Sequence, residues 1–406
     1  MSLRDFVFDY PAIDNHAHPI LKEEYRQSLA FEGVISEGRP DSIKDAIHSL
    51  PGYRAARQLA ELYELDPETE WEEIKSHRDA LQYDQLCKIN MQRSGIQCLL
   101  LDDGLRGTQD MANDLSWHGR FTNNSVYRLV RVEVVAEVRV SYPQNYWHGV
   151  DGVTGGIFEA FNSAFRTTLQ DLARDPVVVG FKSVVAYRTG LNVNLNSDDI
   201  SSIKRGILDT VYSWKEEAGG SSVFRLEHKA VNDFVVRTVL SIAAEFNKPV
   251  QFHTGLGDPD IILTLSSPIH MQPIIEAFPN VTFVLLHGSY PHSRDAGYLA
   301  SAYKNVYVDF GEVAPILSRH GQCSVVEQLL EITPFNKIMW STDGHWWPES
   351  FYLAAIQSRE VLYEVLSAFV KRGDISERQA ISLTKKFLFE NAKKVYNLDL
   401  EPVWGK

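Results

Sequence analysis

Eight short runs rich in β-branched and aliphatic residues recur along the chain, and segments with helical periodicity separate them. Strands are predicted at about 11–15, 96–101, 127–137, 176–186, 248–253, 281–287, 305–310 and 337–342. Strands that alternate with helices pair in parallel, because a helix carries the chain back to the same end of the sheet. Eight such units predict an α/β fold, a TIM (β/α)8 barrel, with functional residues at the carboxyl ends of the strands.

A doubly wound sheet is the alternative arrangement of these elements. It would need a glycine-rich phosphate turn after its first strand, where this chain has HAHP instead. We therefore expect one barrel domain over residues 1–406, with a helical cap inserted at about 19–95 and a second insertion at about 187–229. Residues 350–398 predict three helices that close the barrel, with a turn at Gly373 and an N-cap at 374–376.

Composition and net charge indicate which kinds of molecule the protein is expected to bind. The chain is 44% hydrophobic and 23% charged, as a globular enzyme is, and its net charge of -13 argues against nucleic acid and anionic membranes. Without an apolar run of about 20 residues or a secretory signal, it is expected to be cytoplasmic. Cys87, Cys98 and Cys323 form no CxxC pair and are expected to be reduced and buried. A small-molecule substrate is the expected partner, and a homo-oligomer stays open.

Histidines and an aspartate fall at the ends of four predicted strands. His16 and His18 end the first strand, His253 the fifth and His287 the sixth, and Asp343 follows the eighth. Any one of these histidines alone is more often a hydrogen-bonded structural residue than a ligand. A barrel brings them to one face, however, and residues i and i+2 of a strand point the same way. This pattern predicts a catalytic metal site for one or two divalent ions, Zn²⁺ or else Mn²⁺ or Fe²⁺.

Lys182 falls within or at the end of the fourth predicted strand, in FKS. A bare ammonium group is repelled by a dication, so two interpretations are open. The lysine either lies several ångströms from the metal, where it can hold a substrate carboxylate, or it is carbamylated by CO₂ and bridges two ions. We favour the carbamylated lysine.

Other polar residues near the strand ends are candidates for substrate binding. Arg188 and Arg294 could each grip a carboxylate with two hydrogen bonds, and a surface ion pair is the alternative for both. His292 and His345 lie beside the ligand positions and could bind substrate or orient a ligand. Glu133, on the third predicted strand, either points into the barrel or forms a buried structural ion pair.

Five motifs, in chain order HAH, FKS, FHTG, LHGSYP and STDGHWWPE, resemble the amidohydrolase superfamily, specifically its amidohydrolase-related branch. More narrowly, IDNHAHP, FKSVVAYRTGL and STDG are similar to the N-terminal domain of FluG and nodulin/glutamine-synthetase-like proteins. The resemblance covers nearly the whole chain. It implies a mononuclear or binuclear metallohydrolase on a barrel.

The resemblance also implies a set of metal ligands: His16, His18, Lys182, His253, His287 and Asp343. By that analogy His16 and His18 bind the more buried ion and His253 and His287 the more exposed one. Lys182, if carbamylated, bridges the two. Asp343 binds the buried ion and shuttles a proton between the attacking water and the leaving group.

These parts suit hydrolysis of an amide bond, because an amine leaving group needs a proton. The arginines and the resemblance suggest a small carboxylate-containing substrate, such as a γ-glutamyl or N-acyl amino acid. Two alternatives stay open. One is a metal-dependent non-oxidative decarboxylase on the same fold, and the other is a non-catalytic scaffold barrel.

Overall fold

The computed structural model describes residues 2–105, 108–123, 125–141, 156–196, 199–218 and 225–404. In this part of the chain, parallel strands form one eight-stranded sheet in chain order, which confirms the predicted barrel. The strands are β1 (Ala12–Ala17), β2 (Ile96–Asp102), β3 (Val126–Arg131), β4 (Val178–Ser183), β5 (Val250–Phe252), β6 (Phe283–Leu285), β7 (Val306–Asp309) and β8 (Ile338–Met339).

Backbone hydrogen bonds join the first strand to the last and close the barrel. The amide of Asn15 donates to the carbonyl of Trp340 over 3.3 Å, and the amide of Asp343 donates to the carbonyl of His16 over 3.0 Å. Asp14 strengthens this seam, since its buried carboxylate accepts hydrogen bonds from the amide and the hydroxyl of Thr342. The seam therefore fixes the HAH segment against the STDG segment.

Helices surround the sheet and form its connections. They are α1 (Leu3–Asp9), α2 (Leu50–Leu62), α3 (Trp71–Ala80), α4 (Tyr83–Ser94), α5 (Leu115–His118), α6 (Val132–Ser141), α7 (Ile157–Arg174), α8 (Ile200–Ala218), α9 (Lys229–Phe246), α10 (Gln272–Ala277), α11 (Ser293–Ala302), α12 (Val313–Ile316), α13 (Arg319–Leu330), α14 (Pro348–Arg372), α15 (Glu377–Lys385) and α16 (Asn391–Val395). None of these described helices has the length and apolar character needed to cross a membrane.

Apolar side chains fill the amino-terminal end of the barrel. Ile13, Leu100, Leu129, Val284 and Met339, one from each of five strands, are at most 1% exposed and pack in one cluster. This apolar layer is part of the packed core that fills a barrel of this kind. The opposite end, at the carboxyl termini of the strands, is where polar residues collect.

The third strand is shorter than predicted. It ends at Arg131, and α6 begins at the next residue, so the predicted strand 127–137 is wrong in its second half. Val132, Ala136 and Val140 are buried at a spacing of four, which is a helical face that the β-branched composition concealed. Glu133 therefore lies on a helix, where it accepts a hydrogen bond from the Ser183 hydroxyl over 2.7 Å.

The cap region at 19–95 contains three short 3₁₀ helices followed by α2, α3 and α4. Its Phe31 ring stacks on Trp71 at 5.3 Å and meets Trp347 edge-on at 5.9 Å, so the cap packs against the segment that follows β8. The second insertion, at 187–229, contains α8, while residues 197–198 and 219–224 lie outside the described part of the chain.

The C-terminal helices α14, α15 and α16 follow the predicted pattern, with a π-helical stretch at Lys386–Glu390 between the last two. Gly373 ends α14 at φ 84°, a left-handed conformation that suits glycine. Ser376 caps α15 through a capping box with Gln379. All three cysteines are buried and free, as predicted.

Candidate metal centre and active site

The two histidines of the HAH motif converge on one carboxylate. His16 lies on β1 and His18 directly follows it, and both side chains are buried. Their Nε2 atoms are 3.2 Å and 3.4 Å from Oδ1 of Asp343, which follows β8. The closure of the barrel therefore brings together the first and last motifs of the chain.

A backbone carbonyl group orients His18. The Nδ1 of His18 lies 2.9 Å from the carbonyl oxygen of Asp102, at the end of β2, which leaves Nε2 free to face Asp343. The Asp102 side chain pairs with the Arg131 guanidinium over 2.8 Å. Neither residue was among the predicted site residues, although each is a charged residue at the carboxyl end of a strand.

His253 and His287 complete a line of imidazoles across the mouth of the barrel. Their ring centroids are 4.4 Å apart, and the His287 ring is 5.6 Å from that of His16. The Nε2 of His253 lies 2.7 Å from the carbonyl oxygen of Leu256, so Nδ1 is the nitrogen available to a ligand. Gly257 allows this turn, because a Cβ there would lie 2.7 Å from His253 Nε2.

Lys182 lies beneath the histidines at the end of β4. Its Nζ atom is 3.0 Å from Nε2 of His16, and the residue is 1% exposed. Burial lowers the pKa of Lys182 to about 8, because it outweighs the attraction of Asp102 and Asp343. This shift increases the neutral amine, which is the form that reacts with CO₂.

The backbone is strained where it presents several of these side chains. His287, Glu312, Asp343 and Trp346 all have positive φ, between 53° and 69°. Such conformations cost about 1–3 kcal/mol each and persist where the surroundings enforce them. Asp309 does so at His287, since its Oδ1 accepts the amide of that residue over 3.3 Å.

The electrostatics of the cluster suit a divalent cation. Burial and the neighbouring Lys182 lower the pKa of His16 to about 4, and burial also holds the pKa of His253 and His287 well below the usual value. Burial alone would raise the pKa of Asp343, but its histidine neighbours outweigh this effect and hold it well below the usual range. At neutral pH the imidazoles are therefore neutral and the carboxylate is ionised, the forms that bind metal.

Unpaired polar atoms support this fit. Oδ1 of Asp343, both ring nitrogens of His287 and Oε2 of Glu312 are buried and form no hydrogen bond within the described residues. Buried polar atoms normally have a partner, so such a group needs an explanation. Three sets of ligand atoms, each within 4.8 Å of one another, can hold an ion: His16, His287 and Asp343; His16, His18 and Asp102; and His253, His287 and Glu312.

A cavity of 290 Å³ opens above the cluster. Three arginines line it, Arg131, Arg188 and Arg225, and so do Glu37 from the cap and Asp258 from the loop after β5. The ligand residues and a ring of opposite charges thus share one cavity.

Of the four predicted substrate-binding residues, Arg188 and His345 line this cavity. His345 Nδ1 lies 2.9 Å from the carbonyl oxygen of Asp343, and its Nε2 is 3.9 Å from Glu37. The structure does not bring Arg294 there, since its guanidinium is 65% exposed and pairs with Glu331 over 2.8 Å. His292 also lies outside the lining, with Nδ1 3.8 Å from Asp295.

The cavity-lining residues that were not predicted fall into two groups, according to whether their position in the sequence could have indicated them. Arg131 ends β3 and Glu312 follows β7 by three residues, so strand-end position could have found both. Glu37, Arg225 and Asp258 lie on long connections between strands. Their place in the cavity depends on how the connections pack, which no local pattern reports.

Known proteins that resemble this chain share a family. Residues 210–398 match the amidohydrolase family model. Protein fluG of Emericella nidulans is 39% identical over 419 aligned residues, which cover 99% of this chain and 47% of that protein. The chain thus spans about half the length of this curated relative.

Solved structures show the same architecture. A protein from Lactobacillus casei ATCC 334 assigned as a metal-dependent hydrolase superposes with a TM-score of 0.79 at 25% identity, covering 98% of this chain and 97% of that one. A uronate isomerase of Bacillus halodurans C-125 gives 0.65 at 12% identity, covering 97% and 95%. The isomerase likeness, at such low identity, concerns the fold alone.

Proposed function

We propose that the chain is a metal-dependent hydrolase of the amidohydrolase family, which its sequence resembles, and that it hydrolyses an amide bond in a small carboxylate-containing substrate, such as a γ-glutamyl or N-acyl amino acid. The observation that carries this proposal is the cavity itself. It joins a cluster of histidines and an ionised carboxylate to a wall of arginines within 290 Å³. That volume fits a substrate of roughly amino-acid or dipeptide size.

The protein's own residues divide the work. His16, His18, His253, His287 and Asp343 are the residues that would hold the metal, for which we propose Zn²⁺. When bound, a divalent ion supplies Lewis acidity and lowers the pKa of a water molecule toward neutrality.

Asp343 is the proton carrier in this proposal. It is ionised before the reaction begins, so a carboxylate oxygen can accept a proton from the attacking water and return it to the departing amine nitrogen. His16 and His18 hold Oδ1 within 3.4 Å, which restricts the carboxylate to one orientation. An amine is a poor leaving group until it is protonated, which explains why an amide substrate needs this residue.

Arg188 is the proposed carboxylate anchor. The other two arginines of the wall already have short contacts, Arg131 with Asp102 at 2.8 Å and Arg225 with Asp260 at 2.6 Å. Arg188 forms a longer ion pair with Glu137, at 3.6 Å, and its Nε has no hydrogen-bond partner within the described residues. Burial and repulsion from Arg225 lower its pKa to about 10. A substrate carboxylate would relieve both the missing hydrogen bond and the excess positive charge.

The acidic side of the cavity favours γ-glutamyl substrates over N-acyl amino acids. Burial and the adjacent Asp258 raise the pKa of Glu37 well above its usual value, so Glu37 favours its protonated form until a cation lies beside it. A γ-glutamyl group carries an ammonium beside its carboxylate, whereas an N-acyl amino acid has only the carboxylate. The opposed charges of the lining thus match a zwitterionic headgroup.

A panel of anilides tests this proposal. Zinc-loaded protein is incubated with γ-glutamyl anilide, with glutaryl anilide, which lacks the ammonium, and with butyryl anilide, which lacks both charges. Aniline release should be fastest for the first and slowest for the third, and Asp343→Asn should slow it by about 10²- to 10⁴-fold. Equal rates for all three would overturn the headgroup assignment. Release of CO₂ without aniline would replace the hydrolase with the decarboxylase.

A further inference from the structure

We propose that Glu312, from the loop after β7, is the carboxylate ligand of a second divalent cation held together with His253 and His287. This assignment rests on the proposed function, because it concerns the metal content of the same centre. It adds a ligand from the loop after the seventh strand to a set that the sequence motifs confine to the first, fourth, fifth, sixth and eighth strands.

The three side chains converge in a buried part of the site. Each offers one ligand atom, and the three atoms lie within 4.8 Å of one another. The residues are 5%, 1% and 4% exposed for His253, His287 and Glu312. Two imidazoles and one carboxylate form a set that binds catalytic zinc and leaves positions open for water or substrate.

The contact between His287 and Glu312 is close but is not a hydrogen bond. Nδ1 of His287 and Oε2 of Glu312 are 3.1 Å apart, yet both atoms are buried without a hydrogen-bond partner in the described part of the chain. A cation bound by both side chains would give these two unpaired atoms a shared partner. A carboxylate buried against neutral imidazoles is otherwise costly.

The backbone of the turn that presents Glu312 is tightly constrained. Glu312 has φ 60°, an unfavourable conformation for a residue with a long side chain. The preceding Gly311 donates its amide to Asp309 over 2.8 Å, and a Cβ at Gly311 would lie 2.0 Å from Oγ of Ser341. Asp309 also accepts the amide of His287 over 3.3 Å, so one buried carboxylate positions both ligand-bearing segments.

The remaining ligand candidates suffice for a first ion without Glu312. His16, His18 and Asp102 form a set that shares no residue with the set containing Glu312, whereas the set of His16, His287 and Asp343 shares His287 with it. The second ion therefore does not depend on carbamylation of Lys182. A bridging carbamate and the Glu312 ligand are compatible, and each has its own test.

Metal counting tests the assignment without any substrate. Metal-stripped protein is dialysed against buffered Zn²⁺, and the zinc per chain is measured by inductively coupled plasma mass spectrometry. Wild type should hold two ions and Glu312→Gln one. Glu37→Gln is the matched control, because it removes a carboxylate from the same cavity outside the three-atom set. It should still hold two.

Glu312→Asp keeps the charge but shortens the reach, so it should hold the second ion roughly 10-fold more weakly or worse. Circular dichroism and thermal melting of each variant show whether the fold is retained. Two tightly bound ions in folded Glu312→Gln, a single ion in wild type, or equal loss in Glu37→Gln would each overturn the assignment. Failure of amide hydrolysis with the expected metal counts would instead overturn the proposed function alone.

Discussion

The buried ion pair between Arg78 and Glu349 should fasten the cap to the barrel. Arg78 lies on α3 of the cap and Glu349 in the first turn of α14, directly after the STDGHWWP segment. Nε of Arg78 is 2.5 Å from Oε1 of Glu349, and their side chains are 3% and 0% exposed. Tyr63 also donates its hydroxyl to Glu349, over 3.0 Å. Arg78→Met removes the only cation in contact with this carboxylate among the described residues.

The expected loss is large because the remaining charge stays buried. Removing one partner of a buried pair costs about 3–5 kcal/mol of unfolding free energy. Arg78→Met/Glu349→Gln should recover at least about 2 kcal/mol of it, since the amide carries no charge and can still accept the Tyr63 hydrogen bond. Arg57→Met is the control. Arg57 lies on α2 of the same cap and forms a solvent-exposed ion pair with Glu61. The loss of this pair should lower the free energy of unfolding by less than about 1 kcal/mol.

Urea unfolding followed by circular dichroism measures these differences from the midpoint and slope of each variant. The expected order of stability is wild type, then Arg57→Met, then the double variant, then Arg78→Met. A loss below about 1 kcal/mol for Arg78→Met, or a double variant less stable than Arg78→Met, would refute the view that an unpaired buried carboxylate dominates the cost.

Three further changes probe the site. Arg188→Met should raise KM for a carboxylate-bearing amide by about 10- to 100-fold with little change in kcat, because a charged hydrogen bond to the substrate is lost. Arg294→Met should leave both constants unchanged, and equal effects of the two substitutions would contradict the role of Arg188 as the carboxylate anchor. Asp343→Asn should lower kcat by about 10²- to 10⁴-fold while zinc analysis still finds metal, and near-normal turnover would remove its role as proton carrier. Protein loaded with zinc and ¹³C-bicarbonate should give a carbamate carbon signal that Lys182→Ala lacks; no signal in wild type would mean a free amine.

The barrel could be predicted from the sequence because its pattern is local and repeated. Each strand carries its own β-branched run, and the eight runs occur in the order of the sheet. Strand limits were less predictable, since composition does not separate a strand from a helix that begins at once. The segment after Arg131 shows this, because its valines form a helical face in the folded chain.

Site residues on strand ends could be found, whereas those on long connections could not. His16, His18, Lys182 and His287 needed only a strand count and the rule that parallel strands end at one face. Glu37 reaches the cavity through the packing of the cap, and sequence spacing gives no information about that path.

Proximity in sequence was a poor guide for some residues. Arg294 follows His287 by seven residues, but α11 begins at Ser293 and directs it toward Glu331 on the outer surface. Arg188 is almost as far from Lys182, yet the 3₁₀ turn at Val185–Tyr187 keeps it at the mouth of the barrel. The difference comes from the path of the connection and not from its length.

Aniline release from γ-glutamyl anilide, measured before and after metal removal, tests the central claim most directly. Protein stripped with a chelator should lose the activity while its circular dichroism spectrum is unchanged, and added Zn²⁺ should restore the rate in proportion to the ion bound per chain. An unchanged rate in metal-free protein would contradict the assignment of the histidine and aspartate cluster as a hydrolytic metal centre.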